Sequence, residues 1–168
     1  MFDTVLGLPV HALVVHAVVV LLPVAALGVV AIAVVPRWRT RYGALVLAVT
    51  TAGLVMVPVA TMSGTELEDR LDAGGVVRRQ IDEHSELGSL VIWPTLVMWL
   101  LAIALVVMSR RRGRVTTSAD RGSAGRAVSV VAVLAVVASL VTAGVVTRVG
   151  HLGSTAVWSC TIGSDACR

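Results

Sequence analysis

The chain has 168 residues, of which 57% are apolar and only 14% charged, where a soluble domain carries about a quarter charged residues. Its mean hydropathy is +0.90, and the apolar residues form long blocks instead of periodic stripes, which excludes an ordinary soluble domain and points to an integral membrane protein. The net charge is +4, but no soluble face interleaves Arg with aromatics, so nucleic acid is excluded as the partner of that charge.

In chain order, hydropathy predicts spans over about 12–35, 43–62, 87–108 and 127–147. Each is close to the ~20 residues that cross a hydrocarbon core. The first block has no basic segment before it and no small-residue cleavage site after it, so it reads as a span and not as a signal peptide. Pro23, Pro58 and Pro94 fall inside spans one, two and three, where each is expected to kink its helix. Between spans two and three, Ser63-Gly-Thr-Glu66 opens a capping box and Gly74-Gly75 closes the segment, predicting a short external helix. Thr116 to Gly125 is polar and Gly/Ser-rich and is expected to be a loop; 150–168 reads as an external tail.

Charge sets the orientation. The loops after spans one and three hold Arg37, Arg39, Arg41, Arg110, Arg111, Arg112, Arg114, Arg121 and Arg126 against the single acid Asp120, whereas the other side holds nine acids against five Arg. The positive-inside rule therefore predicts a single all-α, four-helix membrane domain with both termini outside. In that compartment Cys160 and Cys167 are expected to form a disulfide.

The four histidines, His11, His16, His84 and His151, then fall on one side. His11 and His16 open span one, His84 opens span three, and His151 follows span four. Thr61, Ser63 and Glu66 bring the end of span two to the same layer. His16 lies within an unbroken apolar run, where an ionisable residue is by default a functional one. His11 and His16 are five apart, so on a helix they diverge by about 140° and are expected to serve different partners.

Two kinds of ligand suit such a layer. A b-type haem needs one His from each of two facing helices, an apolar slot and small residues beside it. Gly88, Gly150 and Gly153 supply the last, and Arg148 or the Arg78–Arg79 pair is placed to bind the haem propionates at the outer surface. A zinc or copper ion could instead sit among His16, His84, His151 and Glu66, although nothing matches H-E-x-x-H or C-x-x-C.

The segments Leu8-Pro-Val-His11-x4-His16, Ala60-Thr-Met-Ser-Gly64, Glu83-His84-x3-Gly88 and Val149-Gly-His151-Leu-Gly153-x4-Trp158 resemble the bacterial membrane family catalogued as domain of unknown function 2231. Ala12 stands where that family would place Pro. The resemblance implies a small four-helix protein of the bacterial cell membrane, and kinship with the membrane part of Rieske-type fusions favours a redox role. The expected function is electron transfer through a non-covalent haem b held by the histidines, in the bilayer, alone or with a redox partner in a larger complex. The alternatives are a metal-binding membrane protein and a structural accessory subunit. No nucleophile–base pair is visible that would favour a hydrolase.

Overall fold

The computed structural model describes residues 4–5, 7–70, 75–112 and 118–158. Two short strands, β1 (Thr4–Val5) and β2 (Leu8–Pro9), pair antiparallel, and Gly7 turns between them at φ 81°, a left-handed conformation that only glycine adopts freely. Helix α1 (Val10–Val34) follows directly. It ends because Val35 precedes Pro36 and is extended, as the residue before a proline prefers. Pro36 then occupies the first turn of α2 (Pro36–Glu68), where its missing N–H has no partner to lose.

Arg39 fastens this corner. Its side chain is buried and turns back on α1, Nε donating to the Ile32 carbonyl at 2.7 Å and an Nη to that of Ala33 at 2.6 Å. The last carbonyls of α1 lack helical donors, and a cation there is favourable.

Helix α3 (Gly75–Leu90) packs chiefly on α5, α4 (Ile92–Arg112) on α5 and α2, and α5 (Ser118–Trp158) runs back along α1 and α4. The architecture is the all-α, four-helix bundle that hydropathy predicts. Val10–Val34, Pro36–Glu68, Gly75–Arg111 and Ala124–Trp158 are long and apolar enough to cross a membrane. One core cluster joins Ala25, Val29, Ile32, Met98, Leu105 and Ala135; a second, nearer the histidines, joins Val18, Leu22, Val57, Val91 and Val146. The buried hydroxyls of Thr50, Thr95, Ser139 and Thr142 each donate to the carbonyl four residues earlier, at 2.6–2.8 Å, so they cross the apolar interior without an unmet donor.

Three sequence expectations are corrected. The external helix expected from Ser63 is instead the end of α2, and Ser63 spends its hydroxyl on the Ala60 carbonyl within that helix; the next helix, α3, begins at Gly75 and is the first part of the third long apolar segment. Residues 150–158 are not a tail but the last turns of α5, held in place by the buried Leu152. The segment expected as a loop is helical from Ser118, since glycine inside a helix costs only about 1 kcal/mol. The prolines also divide. Helices α1 and α2 continue through Pro23 and Pro58, whereas Pro94 follows a break at Val91 that separates α3 from α4.

Candidate functional site

His11 is the second residue of α1, placed there by the β1–β2 hairpin, and His84 lies on α3 among Val77, Ile81, Ser85 and Gly88, residues that line one cavity with it. Both rings are half-buried and face the same space. Their centroids are 6.2 Å apart and their planes cross at 83°.

Each ring is anchored in the same way. His11 Nδ1 lies 3.1 Å from the Ala60 carbonyl and 3.3 Å from Ser63 Oγ; His84 Nδ1 lies 3.0 Å from the Val149 carbonyl. A carbonyl can only accept, so Nδ1 carries a proton in both, and it is Nε2 that holds the lone pair in the neutral ring.

The anchoring turns share a second feature. Four residues beyond each carbonyl stands a glycine. A Cβ on Gly64 would lie 3.0 Å from His11 Cε1, and one on Gly153 would lie 2.9 Å from His84 Cε1. Because Cβ atoms tilt toward the helix N-terminus, a side chain at either position would stand over the turn whose carbonyl the imidazole must reach.

The cavity holds about 380 Å³, within the range of small-molecule and cofactor sites. Val18, Val57, Ile81, Val91 and Val149 form apolar walls. Thr61, Thr65, Ser85 and Ser89 add hydroxyls, and Glu68 contributes a carboxylate that receives a 2.9 Å hydrogen bond from Arg78.

A sequence model of the family described as a predicted membrane protein, DUF2231, matches residues 7–166. The chain belongs to that family. With four apolar helices of spanning length, it is a multi-pass membrane protein. No curated protein and no solved structure matches the chain. The DUF2231 match includes all four histidines, yet the fold gathers only two of them.

His16 is exposed on the outside of the bundle, and its Nδ1 donates to the Ala12 carbonyl of its own helix. The five-residue step from His11 turns it away from the cavity. His151 is likewise exposed. It lies two residues before Gly153, hence about 200° around α5 from the face that receives His84. Arg148 is exposed and outside the cavity lining, while Arg78 forms 2.9 Å ion pairs with Glu68 and Asp82. Glu66 borders a separate small recess with Pro9, His11 and Arg70.

The mixed metal site expected from His16, His84, His151 and Glu66 is therefore not assembled. Among the described residues no three His, Cys, Asp or Glu side chains come together as a metal site. Cys160 and Cys167 lie outside the described residues.

Sequence reasoning missed the two carbonyl seats and Gly64. The usable signal was the repeated four-residue step, Ala60 to Gly64 and Val149 to Gly153, which a search for side-chain ligands passes over. Gly88, expected beside a ligand, does line the cavity; Gly150 instead lies against Val19.

Proposed function

We propose that this protein is a membrane electron-transfer component that holds a b-type haem between His11 and His84. The observation that carries the reading is the pair itself: two imidazoles from different helices, with Nδ1–H fixed on backbone carbonyls, bordering one apolar cavity. A carbonyl on the far ring nitrogen is the usual support of a ligating histidine. The two rings, with centroids 6.2 Å apart, are close enough for His11 and His84 to hold one iron together.

A bound haem would supply a one-electron iron couple. The chain's own part is to hold both rings as neutral donors, to exclude water with the valine walls, and to keep Glu68 and Arg78 paired beside the cavity. The uneven distribution of Arg supports placing the histidine end outside a bacterial cell membrane, with both termini extracytoplasmic. A Cys160–Cys167 disulfide would suit that compartment. Delivery or removal of electrons then falls to a redox partner, free or within a larger complex.

The test is the haem content of protein purified from cells supplied with haem, by pyridine haemochrome, beside metal analysis of the same sample. One haem b per chain is the expected result. Protein free of haem but carrying stoichiometric zinc or copper would overturn the reading in favour of metal binding, and protein carrying neither would leave a structural subunit.

A further inference from the structure

The two anchoring turns are the same device built twice on unrelated helices. On α2 the Ala60 carbonyl accepts from His11 and Gly64 passes beneath the ring; on α5 the Val149 carbonyl accepts from His84 and Gly153 passes beneath. Even the approach agrees. A Cβ on either glycine would meet Cε1 first and Nδ1 next, at 3.2 Å in both cases, with Nε2 farther away at 3.8 and 3.6 Å.

We infer that Gly64 and Gly153 are positioning residues, each forming with the carbonyl four residues before it a seat that selects the Nδ1–H tautomer and the orientation of one histidine. The inference rests on the proposed use of the two histidines as ligands, and it names what makes them a matched pair.

The physical argument is one of access. A helical carbonyl already accepts from the N–H four residues on, so a second donor must approach from the side. There the Cβ of that same fourth residue tilts back across the turn. With glycine the ring can lie against the backbone and reach the oxygen. With alanine a contact of 2.9–3.0 Å forces the ring outward and lengthens the Nδ1–H···O bond. Once that bond is lost, nothing in the His84 seat distinguishes the two ring nitrogens, and at His11 only the longer 3.3 Å contact to Ser63 Oγ remains, so the preference for the tautomer that leaves Nε2 unprotonated falls. The packing role of an ordinary helix glycine predicts nothing of this kind. Gly150, three residues before Gly153 on α5, meets no imidazole: a Cβ there would lie 3.7 Å from Val19, an ordinary contact.

The experiment is ¹⁵N–¹H correlation on ¹⁵N-histidine-labelled full-length protein purified in detergent from cells grown without added haem and stripped of metal, so that no ligand fixes Nε2, for wild type, Gly64→Ala, Gly153→Ala and Gly150→Ala. In wild type, His11 and His84 should each show a protonated Nδ1 and an unprotonated Nε2. Gly64→Ala should shift the His11 pattern toward mixed tautomers and leave His84 in place, Gly153→Ala should do the reverse, and Gly150→Ala should change neither. Alanine favours the helix over glycine, so these variants are expected to fold. An Nε2–H tautomer at either histidine in wild type, or Gly64→Ala and Gly153→Ala spectra that match wild type, would overturn the inference. Absorbance of the same four proteins prepared from haem-supplied cells reads haem separately: seats intact in the ligand-free protein, with no haem taken up when it is supplied, contradict the proposed function and not the seats.

Discussion

The His84 ring donates from Nδ1 to the Val149 carbonyl at 3.0 Å, which ties α3 to the last turns of α5. Helix α3 has no buried residue of its own, so this bond and the packing of its inner face on α5 place the imidazole. His11 is set against α2 through Ala60 and Ser63. The two histidines thus reach one cavity from separate supports, and the 6.2 Å between their rings depends on how the bundle ends are assembled.

Because His16 and His151 are exposed and face away from the cavity, they are expected to be dispensable for ligand binding. His16→Ala and His151→Ala should each retain wild-type haem per chain. Loss of haem in either variant, with unchanged yield and monodispersity, would return that residue to the ligand set.

Ser63 offers His11 a second acceptor beside the Ala60 carbonyl. Ser63→Ala removes only the weaker of the two and should cost about 0.5–1.5 kcal/mol, leaving haem content unchanged. Thermal unfolding in detergent and the absorbance spectrum measure the two effects on one sample.

Arg39 binds the Ile32 and Ala33 carbonyls from a buried position. Arg39→Met leaves those carbonyls without that donor and should destabilise the fold by roughly 1–3 kcal/mol. The histidine end lies at the opposite end of α1, so the spectrum of the surviving protein should match wild type.

Helices α1 and α2 close on each other at Gly53, where a Cβ would lie 2.7 Å from a methyl of the fully buried Leu22. Gly53→Ala should overpack this contact at a cost of about 1–3 kcal/mol. Leu22→Ala is costly by itself, but in its background Gly53→Ala should cost less than in wild type, and a double-mutant cycle reads that coupling.

The proposed orientation, with both termini outside, rests on the arginines. A Cys167→Ser variant keeps Cys160 as its single thiol, and a membrane-impermeant maleimide should label it in intact cells. Labelling only after the membrane is opened would invert the topology.

The four spanning helices were legible because Val, Ala and Leu blocks of crossing length leave few other folds. Their ends were not. Ser63 and Glu66 carry a capping pattern, but the helix running in from Ala60 already satisfies the backbone there, so α2 continues to Glu68. The same holds for His151, which hydropathy leaves past the span and the burial of Leu152 keeps in α5. Within the site, the clustering of all four histidines at one end followed from counting crossings, and the divergence of His11 from His16 followed from helical rotation. Which histidine meets His84 depends on how α3 lies against α5. That is a matter of packing, and the decisive partners are main-chain carbonyls, whose identity no side chain announces.

The proposed function requires His11 and His84 to hold one haem together. The most direct measurement is the reduced-minus-oxidised absorbance difference of purified wild type beside His11→Ala and His84→Ala. Wild type should show the Soret and α bands of a low-spin b-type haem, and each variant should lose them or shift to a high-spin form while eluting as wild type does. A wild-type protein with no such bands, or either variant with the full wild-type spectrum, would contradict it.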